Sequence, residues 1–450
     1  MQIKTKKKMI ISFSVTNFGP IREKQTISFE AKKYDDLENY YVIEPIKGLR
    51  LLKLIFLYGA NASGKTTMLN AIEFLRDIVL DPFEKKNEKF DFNPFLFDNE
   101  SKNLDSTIEI DFVHKSKKYS YRVEFNKKVI SQETLLVFNP NKATVFKRTT
   151  NVNNNLTEIV FGSKVKLNKD YVNTLVSNTL SNNTVFGGFL KTNIDIVELR
   201  EVLDWFESAL RPMISPRTDL DGFVTRNLND GGNISKENVL EVLRKADLNI
   251  EDIIIEEKER DIPEGLLEFL ETSTKSEEDR KKISSIREKG KVTAVNLEFV
   301  HKFGDKNYNL PFENQSQGTQ RFYGLAGILD ILVRQNSIVP IDELESSLHP
   351  DLYIHFILMH LVNSSKSQLI ATTHNREILK NRDIFRDDCI WFADKTEEGN
   401  TEIYSLEDFD TKTIRNSSNV YNAYSIGKLG GVPELGDYFL DFKYDEDGEN

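Results

Sequence analysis

The sequence predicts an α/β fold that carries an antiparallel β flank and a helical insertion. Three patterns lead to this prediction. A short apolar run at 51–58 precedes a glycine-rich turn and helical spacing over 66–79. Residues 107–146 alternate as successive strands do, whereas residues 196–295 change to amphipathic helical spacing. Buried strands and helices resume after residue 300, so the α/β core is split in sequence.

The composition is that of a folded protein with an acidic balance. Of 450 residues, 39% are hydrophobic and 10% aromatic, which excludes a mostly disordered chain. A net charge of -11 argues against a protein that coats nucleic acid, although a local basic patch is compatible with it. Apolar runs are too short to span a bilayer, no signal peptide is recognisable, and the single cysteine, Cys389, leaves no internal disulfide. We therefore expect a cytoplasmic protein that does not engage a membrane.

The order of the elements predicts three parts. The first, 1–185, opens with a hairpin over 10–30 that turns at Gly19 and Pro20. The second, 186–300, is mainly helical, and its charged stretch at 273–291 is typical of a solvated helix face or loop. The third part, 301–450, returns to the core with a helix, a strand, a second helix and a strand, at 322–334, 337–341, after Pro350 and at 368–373.

A complete phosphate-binding motif follows the apolar run at 51–58. Residues 59–66 match G-x-x-x-x-G-K-[ST], between a strand and a helix. Such a loop turns backbone N–H groups towards phosphates at the positive end of the helix. Lys65 is expected to reach the β- and γ-phosphates, and the Thr66 hydroxyl to bind Mg²⁺. We expect ATP or another nucleoside triphosphate to contact Gly59, Asn61, Ala62, Ser63, Gly64, Lys65, Thr66 and Thr67.

An apolar strand ending in two carboxylates lies more than half the chain away. Asp342 is expected to hold the Mg²⁺ ion, and Glu343 to polarise the attacking water. Pro340 fits poorly inside this strand because it removes a backbone donor. The distance between the two motifs indicates a large insertion within one sheet.

Two weaker signals flank this strand. Ser316 and Gly318 open a long helix, where a hydroxyl and a helix N-terminus suit an anion but are first of all a cap. His374 ends a further apolar strand, and a histidine at such a place is structural more often than catalytic. Both the turn at Ser316 and Gly318 and the histidine at 374 follow the phosphate-binding loop in the expected order of motifs, and this order favours a functional role for each of them.

This order resembles the ABC/SMC-type ATPase heads. It is more closely similar to bacterial AAA-family ATPases related to the OLD proteins, including the RloA, AbiL and AriA type subunits of phage-defence systems. The resemblance is carried by FSVTNFGPI (13–21), YGANASGKTT (58–67), QSQGTQRF (315–322), IDELESSLHP (341–350), ATTHN (371–375) and the tail at 391–409 and 424–435.

The resemblance implies roles for several residues. Ser316, Gln317 and Gly318 match the signature loop, which contacts the γ-phosphate held by the other protomer, although Gln317 stands where an acidic residue or glycine is common. Ser346, Ser347 and Leu348 match a loop that crosses the dimer interface, and His374 matches the switch histidine at the γ-phosphate. No glutamine loop is identifiable, since Asn93 matches it poorly.

These observations lead to the hypothesis of an ATP-driven switch. Two copies would close over two ATP molecules and part after hydrolysis through Glu343. The resemblance implies a sensor subunit in antiviral defence by abortive infection, controlling a separate effector such as a nuclease. Because the chain lacks the carboxylate pattern of a TOPRIM nuclease after His374, we expect that activity in a partner protein.

Two alternatives remain open at the level of the sequence. A DNA-engaging ATPase of repair type would use basic clusters at 6–8, 85–89 and 114–118, with Phe90 and Tyr119 stacking on bases. A non-hydrolysing, nucleotide-gated scaffold would keep the phosphate site without turnover. DNA binding and nucleotide turnover are the measurements that separate the three hypotheses.

Overall fold

The computed structural model of the protein describes residues 7–34, 36–151, 154, 156–228, 232–261, 265, 291–409 and 420–433. The chain divides into two compact units, and neither is continuous in sequence. The first unit draws on residues 1–213, 340–343 and 369–450, and the second on residues 214–339 and 344–368. The α/β core in the first unit is therefore assembled from separate stretches of chain.

The helices and strands occur in the following chain order. The first stretch contains β1 (Met9–Thr16), β2 (Gln25–Ser28), α1 (Glu38–Tyr41), β3 (Val42–Ile46), β4 (Leu49–Leu52), β5 (Leu54–Gly59), α2 (Lys65–Leu80), β6 (Ser106–His114), β7 (Lys117–Phe125), β8 (Ile130–Phe138), β9 (Lys142–Asn151), β10 (Leu156–Phe161), α3 (Lys169–Asn178), α4 (Val185–Leu190) and α5 (Val197–Ser208). The remainder contains α6 (Leu220–Leu228), α7 (Lys236–Arg244), β11 (Ile250–Asp261), β12 (Lys291–Phe303), β13 (Lys306–Pro311), α8 (Gln317–Arg334), β14 (Ile338–Ile341), α9 (Pro350–Asn363), β15 (Gln368–Thr373), β16 (Ile390–Lys395), β17 (Thr401–Ser405) and α10 (Val420–Ser425).

A five-stranded sheet in the order β14–β15–β5–β16–β17 forms the α/β core. β5 pairs in parallel with both β15 and β16, and every residue of β5 and β15 is buried. Continuous apolar runs are expected where both faces of a parallel sheet are covered. Pro340 lies in β14, which is an edge strand of this sheet, so its missing N–H removes no central hydrogen bond.

The predicted antiparallel flank is a seven-stranded sheet in the order β10–β9–β8–β7–β6–β1–β2. β1 and β2 form the predicted hairpin, and Gly19 at its turn has a φ of +57°. The α5 helix packs on the sheet through Trp205, which stacks on Phe112 of β6 with ring centroids 4.2 Å apart. These contacts give the flank an apolar core of its own.

The second unit combines helices with a three-stranded antiparallel sheet in the order β11–β12–β13. Two glycines let α8 approach α6 closely. A Cβ at Gly324 would lie 2.5 Å from Leu220, and one at Gly327 would lie 2.3 Å from Val224. The Tyr323 hydroxyl also forms a 3.0 Å hydrogen bond with the Thr225 hydroxyl.

The predicted fold class is confirmed, and β11 is one of the strands that were not predicted. β11 lies within the part expected to be mainly helical, where its pairing with β12 runs from Ile250 to Asp261 and overrides the local pattern. Most of the charged stretch at 273–291 lies outside the described residues, and the domain bounds at 185 and 300 remain predictions. Among the described residues, no helix combines the length and apolar character needed to cross a membrane.

Candidate phosphate and metal site

The phosphate-binding loop connects buried β5 to α2 and has a backbone that few residues can adopt. Gly64 precedes the first residue of α2 with a φ of +100°, and Ala62 has a φ of +61°. A Cβ at Gly64 would lie 2.4 Å from the Thr401 hydroxyl oxygen, and one at Gly59 would lie 2.4 Å from the Ala393 carbonyl oxygen. Both glycines are therefore required by the close approach of β16 and β17 as well as by the turn.

The basic group of the loop is held inside it. Lys65 is 5% exposed, and its ammonium group donates hydrogen bonds to the carbonyl oxygens of Gly59 at 2.9 Å and Ala60 at 2.8 Å. Ser63 is also buried, and its hydroxyl has no hydrogen-bond partner within the described part of the chain. A buried hydroxyl of this kind is expected to find a partner, and a phosphate oxygen would supply one.

Thr66 and Asp342 meet at the carboxyl end of the sheet. The Thr66 hydroxyl donates to the Asp342 carboxylate, with oxygen–oxygen distances of 3.0 and 3.1 Å. Thr372 lies on the other side of the same carboxylate, and its hydroxyl donates to Oδ1 at 2.6 Å. The Glu343 backbone N–H in turn donates to the Thr372 oxygen at 2.8 Å. Four groups from three distant stretches thus form one hydrogen-bonded cluster.

The chemistry of this cluster suits a hard divalent cation. Mg²⁺ prefers oxygen ligands and is usually bound through one or two protein groups together with phosphate oxygens and water. Thr66 and Asp342 provide one hydroxyl and one carboxylate beside the phosphate-binding loop. Glu343 is half-buried next to them, and its φ of +48° is unusual for a residue with a side chain.

A cavity of about 440 Å³ adjoins the phosphate-binding loop. Its lining includes the predicted residues Ala62, Ser63, Gly64, Lys65, Thr66 and Thr67. Asn61 is exposed on the same loop, and His374 is exposed directly after β15. Asn93, the poor match to a glutamine loop, also lines the cavity.

The predicted signature residues belong to the second unit. Ser316 caps α8, and its hydroxyl oxygen accepts a hydrogen bond from the Thr319 backbone N–H at 3.1 Å. Ser316 and Gln317 are exposed, and a Cβ at Gly318 would lie 3.0 Å from the Ser347 carbonyl oxygen. The signature loop and the serine pair after the acidic strand are therefore neighbours within this unit.

The aromatic residues proposed for DNA stacking are buried. Phe90 is 5% exposed, and Tyr119 is fully buried with its hydroxyl 2.6 Å from Glu201. Neither ring is accessible to a base, so that part of the prediction was wrong. For Tyr119 the sequence pattern misled because alternating residues of β7 place core aromatics next to lysines, whereas Phe90 lies outside any strand and packs against Phe74 and Phe125. Lys6 lies outside the described residues.

Comparison with known proteins identifies the family. Residues 9–379 match the model of the AAA ATPase domain family. The chain belongs to this family. A comparison with curated proteins finds no significant match to this AAA ATPase domain chain.

Several solved SMC head domains are similar to this AAA ATPase domain chain over 88% of its length. The SMC head domain from Thermotoga maritima is 12% identical, with a TM-score of 0.38 over 98% of its own chain. An SMC head bound to the C-winged helix domain of ScpA is 13% identical, with a TM-score of 0.39 over 97% of its chain. A third, with an extended coiled coil bound to the C-terminal domain of ScpA derived from Pyrococcus furiosus, is 13% identical, with a TM-score of 0.35 over 96% of its chain.

Sequence reasoning missed Thr372 and, apart from Asn93, assigned no role to the residues that line the cavity outside the phosphate-binding loop. Thr372 is one of two threonines at the end of β15, and both are fully buried. Two adjacent buried hydroxyls at the carboxyl end of an apolar strand are a signal for a polar cluster, because buried hydroxyls need partners. The signal does not show which carboxylate they meet.

Proposed function

We propose that the protein binds Mg²⁺–ATP at the phosphate-binding loop and hydrolyses it. One observation carries this proposal. The Thr66 hydroxyl and the Asp342 carboxylate lie 3.0 Å apart although Asp342 is far away in sequence, and Lys65, the residue before Thr66, is buried with its ammonium group held by the phosphate-binding loop. A hydroxyl, a carboxylate and a lysine in this arrangement are the groups that hold a metal–triphosphate in P-loop proteins. Membership of the AAA ATPase domain family supports the same activity.

The residues would divide the work of binding and hydrolysis. Lys65 would exchange its two carbonyl contacts for oxygens of the β- and γ-phosphates, and Ser63 would donate its hydroxyl hydrogen to a phosphate. Thr66 and Asp342 would hold Mg²⁺, which neutralises charge on the phosphates when bound. Glu343 would orient and polarise the attacking water. His374, exposed after β15, would contact the γ-phosphate in the closed state.

The closed state would consist of two copies of the chain. Each ATP would then lie between the phosphate-binding loop of one copy and the Ser316–Gly318 loop of the other. The exposed hydroxyl-bearing cap at the start of α8 supports this role, because a helix N-terminus favours an anion. Hydrolysis would remove the phosphate that joins the copies and let them separate, which makes ATP the ligand of a two-state switch.

The output of the switch would be control of a separate effector protein. This proposal rests on the motif resemblance to OLD-related ATPases of phage-defence systems, where an effector such as a nuclease is a distinct subunit. The described residues contain no group of three or more His, Cys, Asp or Glu side chains placed to hold a metal ion. Burial of Phe90 and Tyr119 weakens the alternative of a DNA-engaging repair ATPase.

The first test is the loss of one charge from the phosphate-binding loop. Lys65→Ala is expected to weaken Mg²⁺–ATP binding at least 100-fold in calorimetric titrations, while the circular dichroism spectrum stays unchanged. Lys191→Ala is the matched control, because Lys191 also donates to a main-chain carbonyl, that of Phe83, away from the site. ATP binding retained by Lys65→Ala would contradict the assignment of the phosphate site.

A further inference from the structure

The cavity beside the phosphate-binding loop has a second half that the phosphates do not explain. Its remaining lining comes from the hairpin turn at Gly19 and Pro20, from the segment 93–97 and from Lys395. Pro20, Pro94, Leu96 and Phe97 make this half largely apolar. A triphosphate and a metal ion need charged and polar partners, so an apolar wall next to them indicates a different part of the ligand.

Two large apolar side chains on this wall are exposed. Phe97 is 68% exposed and Leu96 is 48% exposed. A single exposed apolar residue is ordinary, but two adjacent ones lining a cavity next to a phosphate site are typical of ligand contact. The ring of Phe97 is a flat surface of the size of a nucleotide base.

The segment that carries Phe97 is held in place by the hairpin turn. The Asn17 side chain donates to the carbonyl oxygens of Ser101 and Leu104 and accepts from the Phe95 backbone N–H, at 2.9 to 3.0 Å. The Gly19 backbone N–H donates to the Asn93 carbonyl oxygen at 2.7 Å. This network fixes the segment relative to the phosphate-binding loop, whose Thr67 methyl lies 3.0 Å from the Cβ position of Gly19.

The Phe97 ring is also supported from behind. The buried Phe95 ring meets it edge-on at 5.5 Å, and a Cβ at Gly399 would lie 3.0 Å from its Cδ2 atom. Lys395 places its ammonium group 5.8 Å from the ring centroid. The turn between β16 and β17 therefore covers part of the ring, while the rest borders the cavity. Supported aromatic rings bind flat ligands with little loss of conformational entropy.

We propose that the segment 93–97, together with Gly19 and Pro20, forms the subsite for the nucleotide base, with the base stacked on Phe97. This inference rests on the proposed function, because it names the part of the same ligand that lies beyond the phosphates. Among the described residues, Asn93 and Lys395 are the only side chains with polar ends on this half of the cavity. The Asn93 carbonyl group already accepts a hydrogen bond from Lys127 at 2.9 Å. The base would thus be held mainly by its face.

The test compares ligands with and without a base. Phe97→Ala is expected to weaken ATP binding about 10-fold, because the base loses the aromatic face on which it stacks. In Phe97→Ala, binding of inorganic tripolyphosphate should stay within about twofold of wild type. Phe97→Tyr, which keeps an aromatic ring at this position, should bind ATP with the affinity of wild type. Tyr171→Ala is the control, because Tyr171 is an aromatic residue of the same unit that is 52% exposed.

A spectroscopic variant keeps the proposal testable if tripolyphosphate binds too weakly to measure. Phe97→Trp should give fluorescence that ATP quenches and tripolyphosphate does not, relative to the same titrations of wild type. Equal weakening of both ligands by Phe97→Ala, unchanged ATP affinity, or a Phe97→Trp signal that ATP does not alter would each overturn the base subsite. Wild-type protein that binds no ATP at all would instead overturn the proposed function.

Discussion

Thr372 holds the Asp342 carboxylate through a hydroxyl that also accepts the Glu343 backbone N–H. Thr372→Val keeps the shape of the side chain and removes both hydrogen bonds. A hydrogen bond to a charged group contributes about 1.5–3 kcal/mol, so ATP affinity in the presence of Mg²⁺ should fall about 10-fold or more. Affinity measured in EDTA should change little, because the hydrogen bond that is lost holds the proposed metal ligand Asp342 rather than the phosphates. Titration calorimetry under both conditions checks this prediction.

The neighbouring Thr373 provides the control for this substitution. It is equally buried, on the same strand, and its hydroxyl oxygen accepts the Asn375 backbone N–H at 3.0 Å rather than contacting Asp342. Thr373→Val should leave the Mg²⁺ dependence of ATP affinity unchanged. A loss of affinity in Thr372→Val that is the same with and without Mg²⁺ would show that Thr372 does not position the metal ligand.

At the residue scale, the sequence predicts the groups whose spacing is set by the chemistry of a triphosphate. Lys65 and Thr66 follow from the motif alone, and Asp342 follows from its place at the end of an apolar strand. Thr372 and Phe97 do not follow from any spacing. Their roles depend on which strand lies beside β14 and which loop lies beside the hairpin turn, and these neighbours are set by tertiary contacts.

At the scale of elements, β8 and α4 are joined through a buried carboxyl group. Glu133 accepts hydrogen bonds from the Val185 backbone N–H and from the Tyr121 hydroxyl, at 2.8 to 3.1 Å. Burial raises the pKa of Glu133 to about 7, and the opposing attraction of Arg148 is smaller. The folded protein therefore keeps this proton at pH values where the unfolded chain, with an ordinary pKa of 4.5, has lost it.

This difference gives the stability of the protein a pH dependence. Between pH 4.5 and about 7 the folded state holds more of the proton of Glu133 than the unfolded state does, so the contribution of this group to the free energy of unfolding should fall as the pH rises. The contribution of Glu133 is at most about 3 kcal/mol. Glu133→Gln, which stays neutral, should lack this contribution, so its free energy of unfolding should fall less, or rise more, than that of wild type between about pH 5 and about pH 7.5 in urea denaturation.

An exposed carboxyl group provides the control for Glu133, because it shows whether the pH dependence of stability requires a buried carboxyl group. Glu158 is exposed on β10, so Glu158→Gln should leave the pH dependence of stability as in wild type. If Glu133→Gln and wild type lost stability equally over this range, the buried carboxyl would not be the group responsible.

The same scale shows why some elements could be predicted and others could not. α2 and α8 have continuous helical spacing, and the strands from β6 to β9 alternate clearly, so local pattern determines them. β11 has three consecutive isoleucines followed by a charged run, and this pattern matches neither the 3.6-residue period of a helix nor the two-residue period of a strand. Its conformation comes from pairing with β12 along its length, and such pairing is a long-range contact.

At the scale of the whole molecule, a sequence can predict the order of motifs but not the bounds of compact units. The order from the phosphate-binding loop to His374 indicates a split α/β core, and the first unit is indeed assembled from three stretches. The chain passes from one compact unit to the other at residue 213 and again near residue 340, and the amino-acid composition does not change at either position. They depend on which helices pack together, as α6 and α8 do through Gly324 and Gly327.

The proposed switch makes a prediction about the assembly of the whole chain. Glu343→Gln removes the carboxylate that would polarise water and leaves the Thr66–Asp342 pair intact, so ATP should bind but turn over about 100-fold more slowly. With Mg²⁺–ATP, light scattering should then show a species of twice the 51.9 kDa chain mass, and ADP should not produce it. Adding Ser316→Arg should abolish this dimer by obstructing the exposed cap. Glu377→Gln is the control: it changes a half-buried carboxylate after β15 that pairs with Lys380, and it should leave turnover and mass as in wild type. Unchanged turnover in Glu343→Gln would show that another residue polarises the attacking water. A Glu343→Gln protein that stays monomeric at saturating ATP would refute the two-copy switch.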